Sequence, residues 1–227
     1  MKRNITVLKI KTYTRLIIFS IIVLMFIFLS AGSYEFWEAW IYCIAFFVPT
    51  LFITDYFLER NPELIERRNK VKERETAQKI FQTISGVSFF VGLLVIPGLD
   101  YRYNWSDVSD FTVMIADIMI LLGFMIVFFV FKKNSYTSSV IEVSKNQKVI
   151  TTGPYAVVRH PMYSGALMII LFTPLALDSY WALIPSFLIS IFVVLRLLNE
   201  EKVLLKELKG YKEYCKKTRY HLIPYIW

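Results

Sequence analysis

A short polar stretch, residues 153–165, concentrates the reactive residue types of this 227-residue chain between two hydrophobic segments. It reads Gly-Pro-Tyr-Ala-Val-Val-Arg-His-Pro-Met-Tyr-Ser-Gly. Pro154 and Pro161 each fix φ and lack a backbone N–H, so one regular helix cannot run through both. Backbone freed in this way lines a cavity in most membrane proteins. The stretch therefore predicts a cofactor-binding loop with exposed amides and carbonyls.

A second polar cluster, Arg196 with Glu200 and Glu201, follows the last hydrophobic segment. Arg196 and Glu200 are four residues apart and share one helix face, where they could simply form an ion pair. If the last two hydrophobic segments form an antiparallel hairpin, the cluster lies level with Arg159 and His160. The convergence of Arg, His and Glu predicts a site for a charged ligand.

The elements that must position these residues are membrane helices. The chain is 56% hydrophobic and 19% charged, with a mean hydropathy of +0.50, which no soluble domain of this length needs. Its apolar residues form blocks, most of them near the roughly 17 to 25 residues that span a bilayer. We predict an all-α polytopic membrane protein with about six transmembrane helices, the last two a hairpin: residues 16–31, 37–58, 80–99, 111–131, 162–177 and 180–198.

The basic residues divide by side of this predicted bundle. Every Lys and Arg except Arg102 falls on one side, whereas the other side carries acidic residues such as Asp100, Asp107 and Asp110. Positive charge is retained on the cytoplasmic side, so both termini are predicted to be cytoplasmic. The net charge of +8 follows this division rather than a stripe with stacking aromatics, which argues against nucleic-acid binding. The first block could be a signal peptide, but its removal would place the positive charge outside, so we interpret it as a transmembrane helix.

Three other features carry expectations. The connector 59–79 is expected to be cytoplasmic and to open with a short helix at Asn61-Pro62, with Arg67 and Arg68 either solvated, the favoured interpretation, or in contact with substrate headgroups. Asp117 is an ionisable residue inside the fourth block, which indicates either a functional role or a side chain reaching water at the outer end. Cys43 and Cys215 lie on different elements without metal-ligand spacing, so neither a disulfide nor a structural zinc is expected.

The motifs resemble the isoprenylcysteine carboxyl methyltransferases and their phospholipid methyltransferase relatives. Thr151-Thr152-Gly153-Pro154-Tyr155, then Val158-Arg159-His160-Pro161-Met162-Tyr163 and Gly165, are similar to the family's Gly-Pro-Tyr and Arg-His-Pro-x-Tyr-x-Gly signature. Arg196 with Glu200-Glu201 resembles its Arg and paired-Glu element, and Gly210-Tyr211-x-x-Tyr214 through Leu222-Ile223-Pro224 resembles its closing element. The resemblance runs from about residue 134 to 227, which divides the chain into N-terminal helices (1–133) and a methyltransferase core (134–227).

The resemblance implies S-adenosylmethionine as methyl donor, bound by the last two helices and flanking loops rather than by a glycine-rich nucleotide fold, whose G-x-G-x-x-G motif the chain lacks. It implies that Arg196 and Glu200 act nearer the acceptor, with Arg196 orienting it. His160 would supply a cation for the donor, Glu201 a carboxylate and Tyr163 an aromatic contact. Arg159 could instead be an anchor at the membrane surface. The donor-site positions implied are Gln147, Gly153, Tyr155, Arg159, His160, Pro161, Tyr163 and Glu201.

The favoured function is methylation of a carboxylate on an isoprenylcysteine-like or other lipidic or prenylated acceptor reached from the bilayer. A phospholipid amine N-methyltransferase and a membrane NADPH-dependent reductase of a lipid or sterol remain alternatives. A transporter would need polar residues along the membrane midplane, whereas here they cluster at one end. The tail around residues 202–209 is predicted to be an amphipathic helix that ends near Gly210 and covers the pocket. His221 stands where relatives often have Arg and is expected at the surface; no metal is expected.

Overall fold

The computed structural model describes residues 2–69, 86–137 and 147–227, and these ranges contain helices and no strand. The all-α prediction is therefore confirmed for the described part of the chain. In chain order the elements are α1 (Lys2–Ala31), α2 (Trp37–Arg60), α3 (Pro62–Arg68), a π-helical segment (Ser88–Val95), α4 (Ile96–Tyr103), α5 (Asp110–Lys133), a 3-10 turn (Gly153–Ala156), α6 (Pro161–Ala176), α7 (Leu183–Glu207) and α8 (Tyr211–Lys217).

Four of the described helices, α1, α2, α5 and α7, are long and apolar enough to cross a membrane. The predicted count of six is not confirmed. Helix α6 has 16 residues, and the third block is divided between an eight-residue π-helical segment and the eight residues of α4. Residues 80–85 of that block lie outside the described residues.

Helices α5 and α6 form the most extensive helix pair of the described bundle, because two glycines allow their backbones to touch. A Cβ added to Gly165 would lie 2.8 Å from the carbonyl oxygen of Gly123, and the reverse distance is also 2.8 Å. Gly165 is the last residue of the polar stretch 153–165, and this contact shows that it serves in helix packing. The contact holds the start of α6 beside the end of α5.

Helices α6 and α7 also pack together, as the hairpin prediction required. The Ser186 hydroxyl on α7 donates to the Ile170 carbonyl of α6 at 2.8 Å. The predicted amphipathic helix is not a separate element, since α7 runs without a break to Glu207. Leu208 then leaves the helical conformation, and Gly210, with φ of +88°, forms the turn into α8.

Two buried aspartates have opposite surroundings. Asp100 is fully buried and accepts hydrogen bonds from the Ser106 amide at 2.7 Å and the Ser179 hydroxyl at 2.5 Å. Asp117 on α5 is 6% exposed, and neither carboxyl oxygen has a hydrogen-bond partner among the described residues. The expectation that Asp117 reaches water is wrong, because the helices packed around it close off its carboxyl group.

The opening of the connector folds as predicted. The Asn61 side chain accepts a hydrogen bond from the Leu64 amide and caps α3, with Pro62 in the first turn. Leu64 and Ile65 are buried, so α3 is docked against the bundle rather than solvated. Residues 70–79 of the connector lie outside the described residues.

Candidate active site

The loop before α6 is shaped by its prolines, as predicted. Pro154 opens the 3-10 turn and Pro161 opens α6, with His160 as the residue that precedes the helix. Tyr155 is fixed at both ends: its hydroxyl accepts from the Asn134 side chain at 2.8 Å, and its carbonyl accepts from the Tyr214 hydroxyl at 2.7 Å. Burial raises the pKa of Tyr155 to about 12, so its hydroxyl stays protonated.

The C-terminal tail satisfies much of this loop's backbone. The amides of Arg159 and His160 donate to the carbonyls of Tyr220 and His221 at 2.8 and 2.9 Å. The Ser164 hydroxyl donates to the Leu222 carbonyl at 2.7 Å. The expectation that the loop's amides line a cavity is wrong for these two, because the tail binds them.

A charge cluster joins the loop, α7 and the tail. Arg159 contacts Glu201 with 2.5 Å between Nη1 and Oε1, and its Nη2 donates to the Arg219 carbonyl at 2.9 Å. His221 lies 2.8 Å from the second Glu201 oxygen through Nε2 and 3.1 Å from Arg159 through Nδ1. Because Arg can only donate, His221 must accept at Nδ1, which makes Nε2 the donor to Glu201.

The surface position expected for His221 is therefore wrong. Its side chain is 19% exposed, and its ring stacks on Trp227 with 4.7 Å between centroids. Few side chains other than histidine could take this position, because the residue must accept from Arg159 at one ring nitrogen and donate to Glu201 from the other.

His160 is buried and neutral. Burial, together with the nearby His221 and Arg159, lowers its pKa to about 3. Its Nε2 lies 3.3 Å from the Tyr211 hydroxyl. The expectation that His160 supplies a cation for the donor is wrong, because removing a charged imidazolium from water beside a guanidinium is unfavourable.

A second polar group forms between α6 and α7. The Tyr163 hydroxyl donates to Glu200 at 2.5 Å, and Arg196 interacts with the same hydroxyl. The one-turn spacing of Arg196 and Glu200 thus places both side chains against α6, as the hairpin model predicted.

These groups surround a cavity of about 290 Å³ between the loop, α3, α6, α7 and α8. Its size is close to the lower end of the roughly 300 to 1,000 Å³ typical of ligand pockets. The predicted site residues that line it are Gln147, Tyr155, Arg159, His160, Pro161, Tyr163, Arg196 and Glu200.

Two predicted site residues, Gly153 and Glu201, are not part of this lining. Gly153 is exposed and has φ of +64°, so its glycine is required by the turn that leads into the 3-10 segment. Glu201 is 6% exposed and binds Arg159 and His221. The structure thus separates the paired glutamates, with Glu200 at the cavity and Glu201 behind it.

The cavity also contains residues that the sequence did not single out as its lining. Arg68 comes from α3, far from the motif region, and Asn134 directly follows α5. Tyr211 and Tyr214 come from α8 and were visible only as part of the closing motif. For Arg68 the sequence offered only the less favoured interpretation, a contact with substrate headgroups, and it carried no signal for Asn134. No group of three His, Cys, Asp or Glu side chains within residues 2–69, 86–137 and 147–227 could hold a metal ion.

Two comparisons with known proteins concern the same part of the chain as this cavity. Residues 111–211 match the sequence model of the phospholipid methyltransferase family. The mouse (Mus musculus) Delta(14)-sterol reductase TM7SF2 is 31% identical over 108 residues, which cover 43% of this chain and 25% of the mouse protein. The chain thus aligns with about a quarter of that relative. This match confirms the resemblance that the motifs indicated, over the part of the chain that contains the loop and most of the cavity wall, residues 111–211.

Proposed function

We propose that the protein is an integral membrane methyltransferase that transfers a methyl group from S-adenosylmethionine to a carboxylate of a membrane-soluble, lipidic acceptor. The observation that carries the proposal is the cavity, which joins the motif loop to Arg196 and Glu200 at one end of the apolar helices. We further propose that this end faces the cytoplasm, because it carries nearly all of the basic residues.

The residues around the cavity suit the donor's functional groups. Arg159 lines the cavity, and its guanidinium suits the donor carboxylate. Glu200 offers a carboxylate to its ammonium, and Tyr155, Met162 and Tyr211 offer aromatic and apolar contacts to its adenine ring. When bound, the donor supplies a methyl group on a sulfonium.

Transfer to a carboxylate needs alignment more than proton chemistry. One carboxylate oxygen forms a bond to the methyl carbon while the carbon–sulfur bond breaks, so a carboxylate and a sulfonium become an ester and a thioether. No proton moves, and the protein's task is to orient the reactants and exclude water. Arg196 suits the orienting role, because its planar guanidinium can hold a carboxylate through two hydrogen bonds.

An amine acceptor would place a different demand on the same site. An ammonium must lose a proton before it can attack, and Glu200 is the candidate base because it lines the cavity. Glu200 already accepts the Tyr163 hydroxyl, so one of its oxygens is occupied. We therefore favour the carboxylate acceptor over the phospholipid amine.

The cavity extends toward the apolar part of the bundle, which suits a lipidic acceptor. Ala166 on α6 and Val193 on α7 line it one turn or less beyond Tyr163 and Arg196. An acceptor could thus leave its hydrocarbon chain in the bilayer while its polar end reaches the site.

A second candidate function is that of a reductase that uses NADPH, and two observations support it. The mouse relative is named as a sterol reductase, and the cavity lining has more positive than negative side chains, which suits a cofactor with several phosphates.

Isothermal titration of the purified protein with S-adenosylhomocysteine and with NADPH separates these candidates. We expect binding of S-adenosylhomocysteine, and binding of NADPH alone would overturn the proposal. Labelled S-adenosylmethionine is then incubated with total membrane extract. Label that alkali releases as methanol indicates an ester, whereas alkali-stable label in phospholipid indicates an amine.

Arg196→Lys tests the orienting role in the same assay. We expect unchanged affinity for S-adenosylhomocysteine and a turnover at least tenfold lower, because an ammonium lacks the guanidinium fork. Equal losses of affinity and turnover would instead indicate that Arg196 supports the structure.

A further inference from the structure

Arg68, the last residue of α3, lines the cavity although it lies outside the residues that match the family. Its guanidinium stands 5.6 Å from the centroid of the Phe131 ring at the end of α5. Its electrostatic neighbours are Tyr163, Glu200 and Arg196. Arg68 therefore faces, from the connector, the two α7 residues expected nearest the acceptor.

The segment around Arg68 is held firmly in this position. Arg67 donates to the Ser135 carbonyl at 2.5 Å and lies over the Tyr136 ring. On the other side, the Asn69 side chain donates to the Thr12 hydroxyl at 3.0 Å, and Arg15 donates to the Asn69 carbonyl at 3.3 Å. Helix α1 and the segment after α5 thus fix the residues on both sides of Arg68, so its place at the cavity is built into the fold.

The charges around the cavity are unbalanced. Its described lining carries four cations, Arg68, Lys148, Arg159 and Arg196, and one carboxylate, Glu200. Glu201 neutralises Arg159 from behind the wall. S-adenosylmethionine carries one further net positive charge, since its sulfonium and ammonium outnumber its carboxylate. Like charges close together in a site of reduced dielectric repel each other, so an anionic group on the acceptor lowers the repulsion in the occupied cavity.

We propose that Arg68 is an acceptor-binding residue that holds an anionic group, a carboxylate or a phosphate, on the acceptor's polar end. The inference rests on the proposed methyltransferase function and deepens it, because it restricts the acceptors to anionic lipids. In this arrangement Arg68 on α3 and Arg196 on α7 both bind the anion. Phe131 orients the guanidinium of Arg68 through its ring face.

Binding measurements on the full chain in an uncharged detergent test this role without relying on turnover. The probes are palmitate, which carries a carboxylate, lysophosphatidate, which carries a phosphate, and hexadecanol, which carries neither. We expect at least one anion to bind more than tenfold tighter than the alcohol. Which anion binds tighter identifies the acceptor's charged group.

Arg68→Gln should weaken binding of that anion about tenfold to a hundredfold, the worth of a lost hydrogen bond to a charged group. Arg60→Gln is the matched control, because Arg60 ends α2 on the same side, is exposed and lies over the Tyr56 ring away from the cavity. It should leave the affinity unchanged. Arg68→Lys keeps the charge without the fork and should fall between wild type and Arg68→Gln.

Two results would overturn the inference: anions that bind no tighter than hexadecanol, or an Arg68→Gln variant that binds them like wild type. Affinity for S-adenosylhomocysteine, measured on each variant, shows that the site is folded. If Arg68→Gln no longer binds S-adenosylhomocysteine, Arg68→Lys replaces it in the test, and an Arg68→Lys variant that binds the anions like wild type would overturn the inference. A wild type that binds the anion but not S-adenosylhomocysteine contradicts the proposed function itself and separates the two failures.

Discussion

Neutralising Glu201 should destabilise the whole site, although Glu201 does not line the cavity. Its two oxygens accept from Arg159 at 2.5 Å and from His221 at 2.8 Å. In Glu201→Gln one oxygen becomes an NH₂ group, which can only donate. This group must then face either Arg159 or His221, both of which donate to the wild-type carboxylate. The charge of Arg159, whose side chain is 13% exposed, also loses its counter-charge.

The magnitude follows from burial. Removing one partner of a buried ion pair typically costs about 3 to 5 kcal/mol, because the remaining charge stays out of water. For a chain of this size, each kcal/mol lowers the midpoint of thermal unfolding by about 2 to 4 °C. We therefore expect Glu201→Gln to lower the midpoint by about 6 to 20 °C.

A thiol-reactive dye can report this unfolding in detergent, because Cys43 lies in the helix core and is 6% exposed. The measurement uses a Cys215→Ser background, since Cys215 lies beside Glu201 and would report local opening. Glu207→Gln is the matched control, because Glu207 is an exposed glutamate at the end of the same helix. Its midpoint should stay within about 2 °C of the parent.

A double-mutant cycle with Arg159→Gln completes the test. If the two side chains stabilise the fold as a pair, the double variant should lose clearly less than the sum of the two single losses. Additive losses, or a Glu201→Gln midpoint equal to that of Glu207→Gln, would refute the pairing and return Glu201 to the list of direct donor ligands.

Three further predictions use the same unfolding assay. Burial lowers the pKa of His160 to about 3, so the unfolded chain binds a proton there below about pH 6.5 while the folded chain does not. Stability should be full above that pH and fall by up to about 1.4 kcal/mol per unit toward pH 3, and His160→Gln should flatten the profile. Gly165→Ala should cost about 1 to 3 kcal/mol through overpacking against the facing carbonyl, whereas Gly86→Ala, which meets nothing within 4 Å, should be neutral or slightly stabilising. Asp117→Leu should raise the midpoint, because both carboxyl oxygens lack partners among the described residues, and Asp100→Leu should lower it by removing three hydrogen bonds.

Local sequence determined the helices and their interruptions. Apolar blocks of membrane-spanning length gave α2 and α5 within two residues of their observed bounds, because hydrophobicity and helix length act within one segment. The other two long helices extend beyond their blocks: α1 starts 14 residues earlier and α7 ends nine residues later. Pro62, Pro154 and Pro161 marked the starts of three elements correctly, since a missing N–H and a fixed φ act on the residue itself. The predicted count of six spans is not confirmed where length is marginal, at α6 and at the π-helical segment.

Eight of the ten predicted site residues line the cavity, but the motifs did not show what each one does there. Glu200 and Glu201 are neighbours in the sequence, yet a helix turns successive side chains by about 100°, so only Glu200 lines the cavity. Composition could not reveal that His160 is neutral, since its pKa depends on burial and on groups from other elements.

The sequence by itself thus determined that the chain forms apolar helices with its reactive residues at one end, because hydrophobic length, proline geometry and charge are properties of single segments. Only the tertiary structure decided that His221 completes a pair with Arg159, 62 residues away, and that Arg68 reaches the cavity from α3. Such pairings arise from where helices cross and where the tail returns, and spacing along the chain carries no information about either.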